Sequence, residues 1–178
     1  KWSKKLDFKL KDATKEPVKY LWYVGDFASF NQNCQDTTRK VAEVLTAAGV
    51  DFGIMGKKEK SAGNDVRRAG EEGLFEVLAE QNIEILEKCD FEEIFTTDPH
   101  TFNTLKNEYP DKGGNYTVKH YSTLLLELIQ SGDIELKKKL DIKATYHDPC
   151  YLGRYNGIYD DPRDVMELCG IDLVEMPR

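Results

Sequence analysis

The sequence has no long run of apolar residues. Its longest, near Leu124–Leu126, is far shorter than the ~20 residues that a membrane-spanning helix requires. It also lacks an excess of positive charge, because 25 Lys and Arg face 32 Asp and Glu, for a net charge of −7. That balance argues against a nucleic-acid-binding protein. The chain begins at Lys1 without Met or a signal peptide, so we expect a piece of a longer protein, with membrane association only through that parent or its partners.

Cysteine is scarce and scattered. The four cysteines in 178 residues are Cys34, Cys89, Cys150 and Cys169, and no two of them form a Cys-x-x-Cys pair. This spacing does not fit a disulfide framework, and we expect a cytoplasmic location, at most at the inner face of a membrane through partners. Three of the four border predicted helices, where free Cys commonly packs as a small apolar side chain. Cys150 differs because it follows Asp-Pro after a predicted strand.

Basic residues concentrate at the N-terminus. The segment 1–19 contains seven Lys against three acidic residues, a local charge of +4. A short charge run of this kind usually lies in solvent, so we predict a basic arm or linker at 1–17. The alternative is a tail that docks on an acidic partner or on a membrane surface.

Strand-like and helical patterns alternate along the rest of the chain. The predicted strands are 18–25, 50–55, 93–97, 116–120, 143–147 and 171–176, and the predicted helices are 31–48, 66–89, 101–109, 122–131 and 162–168. This alternation predicts an α/β fold, in which a parallel sheet carries helices on both faces, as in Rossmann or flavodoxin-like proteins. Functional groups in such sheets gather at the carboxyl edge, so residues that follow each strand are the candidates for a site.

Two stretches of the sequence resemble each other. In each, a strand and a helix lead to Gly-[Val/Ile]-Asp, at Gly49 and at Gly170, and a second strand ends in Met. The repeat places Cys150 where Asp26 stands. We therefore divide the chain into a first copy, residues 18–143, and the start of a second copy, residues 144–178, whose later loops the chain does not include.

Four segments carry a family resemblance: 23–30, 60–75, 96–110 and 146–154. They resemble the cysteine-rich, or CCG, domain family. That family includes the catalytic subunit of heterodisulfide reductase and iron–sulfur subunits of glycerol-3-phosphate, lactate and glycolate oxidising complexes. The resemblance implies the core domain of an iron–sulfur oxidoreductase subunit in electron transfer, with partners such as a ferredoxin-type domain or a flavoprotein. The alternative is a docking or scaffold domain of a redox complex that has lost its cluster.

The family pattern is a Cys after the first strand, a Cys-Cys-Gly loop and a later Cys-x-x-Cys, which together hold a [4Fe–4S]-type cluster. The corresponding positions of the first copy read Asp26, Ser61, Ala62, Gly63, Asp98 and Thr101. Because iron–sulfur clusters are held by thiolates, the resemblance implies no cluster in this fragment and no activity of the fragment alone. The second copy keeps Cys150, which the resemblance implies is a cluster ligand in the intact parent. The alternative for Cys150 is a buried structural cysteine.

Other assignments stay open for the polar residues near these positions. Asp26 and Asp98 could bind a divalent metal with His100 or His147, or they could cap the local loop and helix. His147 could donate a proton or belong to a hydrogen-bond network at the strand end.

Arg67 and Arg68 lie near a predicted helix N-terminus. They could bind an anion together with the helix dipole, or they could form salt bridges.

Overall fold

The computed structural model describes residues 2–176 and contains a five-stranded, all-parallel sheet. Its strands are β1 (Lys11–Asp12), β2 (Val18–Trp22), β3 (Phe52–Ile54), β4 (Phe91–Thr96) and β5 (Val118–His120), in the spatial order β1-β3-β2-β4-β5. The predicted α/β fold class is confirmed. The strand order around β2 is that of a flavodoxin-like sheet preceded by one extra edge strand.

In the described residues, eight α-helices connect and follow these strands. They are α1 (Asp26–Phe30), α2 (Gln32–Ala47), α3 (Asn64–Arg68), α4 (Glu72–Leu86), α5 (Pro99–Asn103), α6 (Tyr121–Gln130), α7 (Gly153–Asn156) and α8 (Asp160–Leu168). Within residues 2–176, no helix combines the length and apolar character needed to cross a bilayer.

Two predicted helices differ from the structure. The predicted helix 66–89 is interrupted at Gly70, whose φ of +90° ends α3 before α4 begins. Only glycine adopts that conformation without strain. The predicted helix 101–109 starts earlier, at Pro99, and continues as a π turn over Thr104–Glu108 and a 3-10 turn over Tyr109–Lys112.

Alternate side chains of the central strands enter two separate cores. Leu21 and Ile94 face a core that contains helix α4, whereas Trp22 and Phe95 face a core that contains helices α2 and α6. Leu21, Trp22, Ile94 and Phe95 are each fully buried. Burial on both faces explains the apolar runs 20–22 and 94–95 within these parallel strands.

The basic N-terminal segment is packed against the sheet. Trp2 is only 4% exposed, and its ring lies 5.5 Å from the ring of Trp22. Strand β1 pairs in parallel with β3, and the side chain of Ala13 is buried beside it. The segment is therefore folded onto the sheet along much of its length, and the interpretation as a solvated arm is corrected.

A second, two-stranded parallel sheet pairs β6 (Ile142–Ala144) with β7 (Ile171–Leu173), and α8 lies between them in sequence. The predicted strand 143–147 is thus shorter, and His147 lies in the loop after it.

The register of the two sheets supports the internal repeat. Tyr20 pairs with Phe52 in the first copy, and Ala144 pairs with Leu173 in the second. Tyr20 and Ala144 each lie six residues before the equivalent positions Asp26 and Cys150. Phe52 and Leu173 each lie three residues after the equivalent glycines, Gly49 and Gly170. Both copies therefore use the same strand–helix–strand frame.

Candidate functional site

The carboxyl edge of the large sheet has a switch point at β2 and β4. The chain leaves β2 toward β3 on one side and leaves β4 toward β5 on the other, which opens a crevice between the two strand ends. A Cβ atom added at Gly25 would lie 3.5 Å from Thr101 Oγ1 and 3.9 Å from Asp98 Cβ. The loops that contain Asp26 and the segment 98–101 therefore meet at this crevice.

Asp98 is the N-cap of helix α5. Its Oδ1 accepts the His100 N–H at 3.1 Å, and its Oδ2 accepts the Thr101 N–H at 3.1 Å and the Thr101 hydroxyl at 2.7 Å. Thr101 is buried. The helix-cap alternative for Asp98 is confirmed, and the side chains of both residues already have local hydrogen-bond partners.

The other candidate metal ligands do not converge. Asp26 is exposed in the first turn of α1, whose N-cap is Gly25, so Asp26 does not act as the cap. His100 is half-exposed, and its Nδ1 lies 3.5 Å from Asp98 Oδ1. His147 is exposed and makes no side-chain hydrogen bond in the part of the chain that the structure describes. In that same part, no three His, Cys, Asp or Glu side chains are grouped to hold a metal ion.

A buried asparagine holds the loop at Ser61 and Ala62. Asn82 is fully buried, accepts the Lys60 N–H at 3.2 Å and donates to the Ser61 carbonyl at 2.8 Å. Asn82 also donates to the Tyr109 hydroxyl, which in turn donates to the Ala62 carbonyl at 3.2 Å. These hydrogen bonds give partners to the backbone N–H and carbonyl groups of a loop that contains no cysteine.

Gly63 is the retained glycine of this loop. Its φ is +88°, and a Cβ atom at this position would lie 2.8 Å from Cδ2 of the buried Phe75. Both the backbone conformation and the close packing thus require glycine here. The loop thus keeps the glycine of the family motif, while Ser61 and Ala62 stand where the resemblance implies the two cysteines.

Sequence reasoning missed Glu59. Its carboxylate accepts the N–H of Val24 at 3.0 Å and of Gly25 at 2.7 Å, which ties the loop before Ser61 to the end of β2. Burial raises the pKa of this carboxyl to about 7, although the two backbone donors oppose the shift. No sequence signal distinguished Glu59 from a surface residue, because it lies in the charged run 57–60, whose composition is typical of an exposed segment.

Sequence reasoning also missed His120, which lies at the end of β5 and is 3% exposed. Its Nδ1 lies 2.8 Å from Ser122 Oγ at the start of α6. Burial lowers the pKa of the imidazole to about 4, so the ring is neutral at physiological pH. The only sequence signal is its place directly before the apolar run of α6, where an N-cap residue is expected.

The donors of the first copy do not fit an iron–sulfur cluster. Such a cluster needs several soft thiolate ligands. Ala62 has no side-chain donor and is 2% exposed, and Asp98 and Thr101 bond to each other.

The turn that contains Cys150 is fixed on both sides. Before it, the Asp148 carboxylate forms a two-pronged ion pair with Arg163, with N–O distances of 2.7 and 2.9 Å, which lowers the pKa of Asp148. After it, Leu152 is fully buried in the core of the first copy. Cys150 itself is exposed. The structure therefore presents this thiol to solvent from a constrained turn, and its chemistry suits one thiolate ligand.

The turn after β6 contacts the first copy through Tyr151. The ring of Tyr151 lies 4.5 Å from that of His100, and its hydroxyl accepts a hydrogen bond from Arg68 Nε at 2.5 Å. Arg67 and Arg68 both form salt bridges with Glu108, so their salt-bridge interpretation is confirmed. Cys150 is thus brought next to the loops that contain the altered ligand positions.

The profile of the CCG family, described as a cysteine-rich domain, matches residues 23–106 and 144–178. The chain belongs to this family, and the resemblance noted in the sequence is confirmed.

Several curated proteins are similar to this chain. The chain is 44% identical over 172 residues to a probable iron–sulfur-binding oxidoreductase, FadF, of Bacillus subtilis, an alignment that covers 95% of the chain and 24% of FadF. It is 40% identical over 159 residues to the EtfAB:quinone oxidoreductase of Syntrophomonas wolfei, covering 89% of the chain and 22% of that protein.

A third relative is one component of the dihydromethanophenazine:CoB–CoM heterodisulfide reductase of Methanosarcina mazei. It is 32% identical over 165 residues, which cover 89% of the chain and 40% of that component. The chain therefore spans less than half the length of these relatives. No solved structure matches the chain significantly.

Proposed function

We propose that this chain is the core domain of an iron–sulfur oxidoreductase subunit, similar to heterodisulfide reductase, that takes part in electron transfer. The relatives named as iron–sulfur-binding and quinone oxidoreductases and as part of a heterodisulfide reductase support this reaction class. The observation that carries the proposal is the exposed Cys150 thiol, held on a constrained turn against the loops of the first copy.

In this proposal the two copies have different roles. The first copy, 18–143, has no cluster and forms the rigid support, because its ligand positions offer no thiolate. Cys150 supplies one thiolate to a [4Fe–4S]-type cluster in the intact parent, whose remaining ligands come from outside this chain. The fragment is then inactive by itself.

The proposed partners are the other subunits or domains of a redox complex, such as a ferredoxin-type domain or a flavoprotein. The name of one relative as a component of a larger reductase supports such an assembly. We propose a cytoplasmic location, consistent with four free cysteines, and contact with the inner face of a membrane only through partners.

The test is Cys150→Ser in the full-length parent, with Cys169→Ser as the matched control. Cys169 is a partly buried residue at the C-cap of α8, and burial raises the pKa of its thiol. Cys150→Ser should remove most of the visible absorbance of one cluster and most electron transfer, and leave the far-ultraviolet circular dichroism unchanged. Cys169→Ser should keep both signals.

An unchanged spectrum and turnover in Cys150→Ser would overturn the proposal. The domain would then be better described as a docking domain of the complex, and Cys150 as a structural residue.

A further inference from the structure

Arg163, on helix α8, joins the chain segments at the carboxyl edge of the second copy. Its guanidinium binds the Asp148 carboxylate with both terminal nitrogens, and its Nε donates to Glu175 at 2.7 Å. The same group donates to the Tyr159 carbonyl at 2.8 Å and lies 5.4 Å from the ring centre of Tyr146. One side chain thus links the loop after β6, the start of α8 and the residues after β7.

The Arg163–Asp148 ion pair differs from the Lys143–Asp172 pair of the same unit. The Arg163 side chain is 19% exposed and that of Asp148 31%, whereas the Lys143–Asp172 pair is 71% exposed at both ends with an N–O distance of 3.7 Å. An exposed ion pair with a single contact contributes little to holding its side chains in one orientation. A planar guanidinium that bonds a carboxylate in two places fixes the orientation of that carboxylate.

The orientation of Asp148 controls the next two residues. Pro149 fixes its own φ and restricts the backbone of Asp148, so few rotations remain between the anchored carboxylate and Cys150. The turn is closed by the N–H groups of Leu152 and Gly153, which both donate to the Pro149 carbonyl at 3.0 and 2.9 Å. The ion pair that fixes the Asp148 carboxylate therefore also fixes the direction in which the Cys150 side chain projects from the turn.

We propose that Arg163 is a positioning residue that fixes the Cys150 turn and so sets the geometry of the Cys150 thiolate toward the cluster of the parent. The role toward a cluster rests on the function proposed above. The role in fixing the turn stands on the contacts of Arg163 and can be measured in this chain alone.

The first experiment measures amide hydrogen exchange in this chain for Arg163→Gln, Arg163→Lys and the control Lys143→Gln. The Leu152 and Gly153 amides should exchange at least tenfold faster in Arg163→Gln, whereas the Tyr23 amide, which donates to the Phe95 carbonyl in the large sheet, should keep its native rate. Arg163→Lys should not restore the native rate, because an ammonium cannot make the two parallel bonds. Lys143→Gln should leave all three amides unchanged.

The second experiment uses the full-length parent and records the electron paramagnetic resonance spectrum and the iron content. Arg163→Gln should retain more than half of the iron but shift or broaden the cluster signal. The Cys150 ligand is still present in this variant, but its orientation is no longer fixed. Asp148→Asn, which removes the same ion pair from the other side, should reproduce this change if Arg163→Gln folds poorly.

Three results would overturn the proposal: native exchange at Leu152 and Gly153 in Arg163→Gln, equal acceleration at Tyr23, or full recovery in Arg163→Lys. The failure of the proposed function is a separate outcome, because it is judged on the absorbance of Cys150→Ser. If Cys150→Ser keeps its cluster while the turn still loosens in Arg163→Gln, only the link between the turn and the cluster is lost.

Discussion

The two copies of the repeat share one frame but close the turn after their first strand by different chemistry. In the first copy, the Glu59 carboxylate accepts two backbone N–H groups at the end of β2. In the second, a guanidinium on α8 binds the carboxylate of Asp148. The register of the strands is the same in both. The strand–helix–strand frame is thus the same in both copies, although different side chains close the turn after the first strand.

The comparison also shows what holds the loops of the first copy at the positions where the family resemblance implies cysteines. The first copy holds its altered loops with ordinary polar contacts: the Asp98 cap and the buried Asn82. Each satisfies backbone groups at the carboxyl edge. Three predictions test what keeps the first copy in shape: the close packing at Gly63, the buried His120 and the Asp98 cap.

The largest expected effect is that of Gly63→Ala. A Cβ atom would lie 2.8 Å from the buried Phe75 ring at a φ of +88°, so overpacking and backbone strain should together lower the free energy of unfolding by ~3–4 kcal/mol. Urea unfolding followed by circular dichroism measures this loss. The control is Gly70→Ala, where φ is +90° but no atom lies within 4 Å, and strain alone should cost ~1 kcal/mol. Equal losses in the two variants would refute the packing argument.

The next effect is a pH dependence from His120. Its pKa is about 4 in the folded chain against 6.5 for the free side chain, because burial disfavours the imidazolium. Between these values the unfolded chain binds the proton and the folded chain does not, so the contribution of His120 to stability falls as the pH falls from 6.5 to 4. The loss should reach ~2–3 kcal/mol. The raised pKa of Glu59, about 7, contributes with the opposite sign.

His120→Asn keeps an N-cap residue at the start of α6 and should remove this contribution from the stability curve. The control Asn31→Ser changes the N-cap of α2 without removing a titratable group and should leave the slope as it is. Unfolding free energies at several pH values between about 4 and 7 measure both, and an identical slope in His120→Asn would contradict the assignment.

The smallest expected effect is a difference in stability between variants of two aspartates, Asp98 and Asp26. Asp98→Ala removes the cap of α5 and should cost ~1 kcal/mol, whereas Asp26→Ala removes no cap and should stay within ~0.5 kcal/mol. Thermal unfolding of the two variants side by side measures the difference. If both lose the same stability, the polar contacts of Asp98 do not hold its loop.

Periodicity and the internal repeat predicted the parallel sheet, the helices on both faces and the equivalence of Asp26 with Cys150. These features follow from local patterns of apolar residues and glycine. The break at Gly70 was missed because the apolar pattern continues through it. Glu59 and His120 were missed for another reason: their burial is decided by segments distant in sequence, such as the end of β2. Only the tertiary structure places the turn after β6 against Arg68 and His100.

The buried position of Leu152 has a consequence for how such a protein can change over time. Leu152 belongs to the second copy, yet it packs in the interior of the first with Phe75 and Tyr109. A substitution that loosened that interior would also release the neighbouring Cys150. Under the role proposed for Cys150, selection for the thiol of one half would therefore also maintain the apolar interior of the other half.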